Sequence, residues 1–191
     1  MSQTPPKSSE PVCGFLTVLE DPAAGMVGGL LVLDHRGRPL EFHCTTPIVP
    51  SRAEEILYGP TLRPHFYSER LGVALLAKAS VKPALVVVNQ MDCWQLADET
   101  NVPVVLVDPR PKSTQGSPSI DDSAPASEAC LDRLSPDARP VVEEMLATLE
   151  RYIDLAEPFE RIEEAIRETG LLSTEEEVPA AEFEEPYDLA A

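Results

Sequence analysis

Residues Gly28–Pro50 read GGLLVLDHRGRPLEFHCTTPIVP, and this stretch decides the fold. Leu30 to Leu33 is a continuous apolar run, as expected of a strand covered on both faces. Asp34 to Arg38 supplies turn chemistry, with Gly37 free to take the positive φ that closes a short hairpin. The return strand alternates: Leu40, Phe42 and Cys44 point one way, Glu41, His43 and Thr45 the other. Pro47 and Pro50 end it, because proline cannot donate to a ladder.

Working outward, Val12 to Glu20 reads as a strand, and Asp21 to Gly25 as the turn joining it to the hairpin. Three such strands with short connections predict an antiparallel meander. Ser51-Arg52-Ala53-Glu54 is a capping box that starts a helix. Gly59-Pro60 interrupts the pattern, and it resumes over Leu62 to Ala79, with Tyr67, Leu71, Ala74, Leu75 and Lys78 at helical spacing. Pro83 to Asn89 and Val102 to Asp108 have the composition of buried strands, and Met91 to Thr100 between them suits a brief crossover helix. The pair predicts a parallel βαβ unit. The expected fold class is therefore α/β: a three-stranded antiparallel meander followed by α-β-α-β in one mixed five-stranded sheet.

Charge and composition divide the 191 residues further. The segment 11–110 carries 11 acidic and 8 basic side chains, whereas 111–191 carries 21 acidic and 6 basic, so most of the net −18 lies in the C-terminal part. That balance disfavours nucleic acid and anionic membrane as partners and favours solubility or a basic partner. Residues 1–10 are polar and contain Pro5 and Pro6, so neither a signal peptide nor a membrane span is expected, there or later in the chain. The expected organisation is a disordered N-terminus (1–10), an α/β domain (11–110), a Ser- and Pro-rich flexible linker (111–127), acidic amphipathic helices (128–170) and a disordered acidic tail (171–191). Within the helical part, Val142, Met145, Leu146, Leu149 and Ile153 form one stripe, and Phe159, Ile162 and Ile166 form a second, with Pro158 at a helix start and Gly170 as a stop. These stripes either fold back on the sheet or serve as recognition surfaces. As a candidate partner-binding set we name Val142, Met145, Leu149, Ile153, Phe159, Ile162 and Ile166.

The order β-β-β-α-β-α-β resembles the ribonuclease-H-like fold. Within that group, residues 60–108 are similar to endonuclease V, on Gly59-Pro60 ahead of a helix, Glu69-Arg70 on it (a pair in the reverse order) and Lys82-Pro83 leading a strand. The resemblance covers about half the chain. It implies a metal-dependent nuclease holding Mg²⁺ or Mn²⁺ on convergent carboxylates, here Glu20, Glu69, Asp92 and Asp108. The chain departs from this pattern at Thr17 in the middle of the first strand and at Asn89 ending the fourth, neither of them an acid.

Other chemistries have less support. His43-Cys44 with Cys93 lacks the histidine–glutamate and paired-cysteine motifs of a zinc deaminase, and no C-x-x-C occurs among Cys13, Cys44, Cys93 and Cys130. No phosphate-binding glycine loop is present, and no motif supports a Cys–His nucleophile. Asn89, Gln90 and Asp92 form a polar loop at a strand C-terminus and are candidate small-ligand residues. Leu189-Ala190-Ala191 resembles the end of a degradation tag read by Clp-type proteases. The reading that follows is a non-catalytic cytoplasmic adaptor or regulatory protein without cofactor, in which the acidic helices bind a protein partner. A divergent metal-dependent nuclease and a small-ligand-binding domain are the alternatives.

Overall fold

The computed structural model describes residues 11–107, 131 and 134–172. The linker at 111–127, Asp108 and Leu189-Ala190-Ala191 lie outside the described residues. Five strands, β1 (Cys13–Asp21), β2 (Gly25–Leu33), β3 (Pro39–Cys44), β4 (Leu85–Val88) and β5 (Val104–Leu106), form one sheet in the order β3-β2-β1-β4-β5. β1 pairs antiparallel with β2 and parallel with β4, and β4 pairs parallel with β5. The mixed five-stranded α/β sheet expected from the sequence is present.

The hairpin forms for the reasons its residues suggest. Gly37 has φ +75°, Gly37 N donates to Asp34 O at 3.0 Å, and Asp34 Oδ1 accepts from Arg36 N and Arg38 N, each at 2.9 Å. β2 is buried over nearly its whole length. β3 is the edge strand, its side chains half-exposed. Glu41 ties it to the far end of the first helical layer, because its carboxylate accepts from Ser80 N at 2.9 Å and Val81 N at 3.1 Å. The hydrogen bond with the His43 ring at 3.0 Å holds the Glu41 carboxyl below the ordinary carboxylate range, against a desolvation cost and with help from those two amides. A carboxyl depressed in the folded state stabilises the fold above its unfolded pKa, and that contribution disappears as pH falls through the folded value. Glu41→Gln is therefore expected to lower the melting midpoint at neutral pH and to flatten the acid limb of a midpoint-against-pH curve, which thermal melts at successive pH values will check.

Helices cover both sheet faces. α1 (Arg52–Tyr58) buries none of its residues; on one sheet face lies α2, the unbroken run of Leu62–Pro64, His65–Gly72 and Val73–Lys78, followed by the short α3 (Leu96–Glu99). The capping box is realised: Ser51 Oγ accepts from Glu54 N at 3.3 Å and Glu54 Oε2 accepts from Ser51 N at 2.8 Å. The middle piece of α2, His65–Gly72, is a π-helix, a form commonly found at special sites in proteins. Phe66, Tyr67, Leu71 and Leu75 pack on Leu16, Val18, Leu30, Val32, Val86 and Val88. The segment expected as one crossover helix, Met91 to Thr100, splits into a 3₁₀ turn (Met91–Cys93) and α3.

On the other face lie α4 (Ala138–Leu149) and α5 (Glu157–Glu168). Of the two fates expected for the amphipathic stripes, folding back on the sheet is the one found, and the partner-binding set is corrected. Val142, Met145, Leu149, Phe159, Ile162 and Ile166 are buried in a cluster with Phe15, Val27, Leu31, Leu33, Leu85, Val87 and Val105, and Ile153 packs against it. Phe159 meets Phe15 edge-on at 5.6 Å between ring centres. The candidate partner-binding stripe is thus core, and the helices are a layer of the domain rather than a separate arm. The physical reason is that a sheet with both faces apolar needs two covers. α5 approaches so closely that Ile162 and Ile166 occupy the space a Cβ on Gly29 would take. Among the described residues no helix is long and apolar enough to cross a membrane.

Candidate functional site

The C-terminal ends of β1 and β4 bring together the polar groups most suggestive of chemistry. Glu20 follows the buried part of β1, and α2 begins opposite it. Arg63 donates from Nε to Glu20 Oε1 at 3.0 Å and from Nη2 to Glu20 Oε2 at 2.8 Å, a bidentate fork. Tyr67, one turn further along α2, donates its hydroxyl to Glu20 Oε1 at 2.8 Å. Burial pushes the Tyr67 phenol up, and the Glu20 carboxylate adds to the effect. The Arg63 guanidinium is likewise pushed up by its hydrogen bonds to Tyr67 and Glu20. Its Nε lies 3.7 Å from Asp92 Oδ2, so one cation stands between two of the candidate acids.

The remaining candidates fall elsewhere. Glu69 faces His65, with 2.9 Å between Oε2 and Nδ1, whereas Glu20 and Asp92 both face Arg63. Arg70 lies 3.6 Å from Glu54 and over the Phe66 ring. Lys82 donates to the carbonyls of Leu76 at 2.8 Å and Ala77 at 3.2 Å, closing the C-terminus of α2. Among the described residues no three His, Cys, Asp or Glu side chains are grouped as metal ligands.

Gln90 takes the position between the strand ends. Val18 N donates to Gln90 Oε1 at 2.9 Å, and Gln90 Nε2 donates to Val18 O at 2.9 Å. The side-chain amide thereby extends the β1–β4 pairing by one rung, satisfying a backbone donor and acceptor that would otherwise be orphaned where β4 ends. Asn89 Oδ1, beside it, is buried with no hydrogen-bond partner. Asp92 is the middle residue of the 3₁₀ turn, and its backbone carbonyl accepts from the buried Ser68 hydroxyl at 3.1 Å. The candidate ligand residues Asn89, Gln90 and Asp92 are thus neighbours with different commitments.

The thiols are separated. Cys93 belongs to the core on the α2 side of the sheet and Cys44 packs on the α4–α5 side, so the sheet lies between them. Burial pushes both the Cys13 and Cys93 thiols up to about 12, which leaves them protonated and poor nucleophiles at neutral pH.

Sequence reasoning named Glu20 and Asp92 but missed Arg63 and Tyr67. Their signal was available in principle: Arg63 and Tyr67 are one helical turn apart, on the face of α2 that carries the buried Leu71.

The molecule is thus an α/β protein with a mixed five-stranded sheet in the order β3-β2-β1-β4-β5 and a carboxylate–arginine–tyrosine cluster at its strand ends. No family model and no curated protein matches the chain. Among solved structures it is similar to Ciona intestinalis endonuclease V in complex with a 23mer DNA containing an inosine followed by a ribo-adenosine. The match has a TM-score of 0.36 and 12% identity, and covers 66% of this chain and 55% of that one. A likeness of this size says nothing of activity, substrate or partner.

Proposed function

We propose that the chain is a non-catalytic regulatory or adaptor protein of the cytoplasm, acting through its surface. The observation that carries this reading is Arg63. Two-metal chemistry needs carboxylates free to give oxygens to a cation, whereas here a guanidinium engages Glu20 at both oxygens and sits 3.7 Å from Asp92. A divalent ion at this place would have to displace a bidentate, charge-assisted contact. The partner surface left by the buried stripes is the outward side of α4 and α5, where Glu144, Glu164 and Glu168 are exposed. Its charge suits a basic protein segment. The three described thiols are all free, which accords with a reducing compartment.

The test is a thermal-shift titration of the full chain with Mn²⁺, Mg²⁺ and Zn²⁺ against an EDTA control. A ligand at a hundredfold excess over its dissociation constant stabilises the native state by about 2.7 kcal/mol, a shift easily read. No shift is expected with any of the three metals. A shift with Mn²⁺ or Mg²⁺ that disappears in Asp92→Asn would overturn the reading in favour of a nuclease-type centre.

A further inference from the structure

The β3 edge is organised for pairing with a second strand. Thr45 N donates to Gly28 O at 3.0 Å, and the β2–β3 register sets Leu30 opposite His43 and Val32 opposite Glu41. By the alternation of an antiparallel ladder, Glu41, His43 and Thr45 turn their backbone groups toward β2, and Phe42 and Cys44 turn theirs outward. No backbone hydrogen bond from another described residue meets that outer edge. Leu40 and Phe42 are 41% and 36% exposed, and by the pleat they share a face with Cys44, which packs against the α4–α5 cluster. Edge strands are commonly blunted by lysine or by proline within the strand. Here the prolines, Pro39 and Pro47, stand only at the margins and there is no lysine between them.

We propose that this edge joins two copies of the chain, β3 pairing antiparallel with β3 of the second copy about a two-fold axis through Phe42. The register follows from which side chains each two-fold axis sets opposite one another. An axis at Glu41 would set two carboxylates against each other, and an axis at His43 would set the two imidazoles together. With the axis at Phe42, Glu41 of each copy lies opposite His43 of the other, Phe42 meets its own equivalent, and Leu40 lies opposite Cys44. An aromatic cross-strand pair is favourable, and like carboxylates set directly opposite each other are not. The strand is thus self-complementary in one register, as an isologous two-fold contact requires. The two sheets continue into one, with Leu40, Phe42 and Cys44 of both copies forming an apolar stripe on the α4–α5 side. A seam of one short strand falls at the small end of specific interfaces, below about 1,200 Å², so the dimer dissociates on dilution.

Sedimentation velocity on the full chain over a wide concentration series tests this. A species of twice the 20.8 kDa chain mass is expected to grow with concentration. Phe42→Pro removes an outward N–H together with the ring on the axis, and Phe42→Lys places like charges there. Both variants are expected to stay monomeric at every concentration while still melting cooperatively, with a midpoint that no longer depends on concentration. Leu40→Cys tests the register: under oxidised glutathione, the introduced thiol and Cys44 of the other copy, paired residues about 5.5 Å apart between Cα atoms, form a disulfide as glutathione is reduced. A covalent dimer is expected that is lost in the Leu40→Cys/Cys44→Ser variant. A wild-type chain monomeric at all concentrations, a dimer that persists in Phe42→Lys, or a cross-link that survives Cys44→Ser would each overturn the proposal.

Discussion

A chain truncated before Leu134 is expected to lose its cooperative melting transition, to bind a hydrophobic dye such as ANS, and to precipitate at concentrations where the full chain stays in solution. The truncation uncovers one sheet face carrying Phe15, Val27, Leu31, Leu33, Leu85, Val87 and Val105, all buried in one cluster with α4 and α5. Burying each side chain of this kind is worth about 1.5–3 kcal/mol. Their sum, about 10–20 kcal/mol, is comparable to or larger than the roughly 5–15 kcal/mol by which a domain of this size is stable. Even after allowing for a compact unfolded state, which lowers such sums by roughly 10–40%, the loss is comparable to the whole stability. The experiment compares far-ultraviolet dichroism, dye binding and thermal melts of residues 1–133 with those of the full chain. A truncated chain that melts cooperatively with no added dye binding would restore the helices as a dispensable arm on an autonomous 11–110 domain.

The second large effect is expected at Gly29. A Cβ there would overlap Ile162 and stand 2.9 Å from Ile166 Cδ1, both fully buried on α5. Forcing methyl groups into a packed contact commonly costs about 1–3 kcal/mol, and a branched residue against a helix that is itself held by the core belongs at the upper end or above. Gly29→Val is therefore expected to cost about 3 kcal/mol or more in urea unfolding. Ile162→Ala alone is expected to cost about 2–5 kcal/mol through the cavity it leaves. The double variant is expected to cost clearly less than the sum, because the new side chain fills the space that Ile162 vacates. Additive costs would mean that α5 and β2 do not meet through these residues. The neighbouring Gly28 offers a contrast: its added Cβ would meet Leu75 Cδ1 at 3.0 Å and Leu71 Cβ at 3.2 Å, with one flexible side-chain end able to yield, so Gly28→Ala is the milder change.

Much of the fold was legible along the chain because it depends on local pattern. The alternation at Leu40 to Thr45, the apolar runs at Leu30–Leu33 and Leu85–Val88, and the capping box at Ser51 each state a local geometry through side-chain period or backbone hydrogen bonding. Strand ends were placed to within a few residues for the same reason. The crossover was less legible: Met91 to Thr100 has too few apolar residues to define a helical period, and the chain resolves it as two short turns.

The candidate site was legible only in its acids. Glu20 and Arg63 are 43 residues apart in sequence, and Val18 and Gln90 are 72 apart, so neither pair leaves a local signature. A carboxylate in a sequence is a potential metal ligand or a potential salt-bridge partner, and its neighbours in space choose between them. By itself the sequence determined the identity and order of the strands, the amphipathic stripes of α4 and α5 and the segregation of charge toward the C-terminus. These follow from periodicity and composition. Tertiary structure decided that the stripes meet the sheet, that Gln90 closes the gap between β1 and β4, and that Arg63 holds Glu20 close to Asp92. An amphipathic helix specifies that it will be covered on one side but not by what; the uncovered apolar face of this sheet supplies the answer.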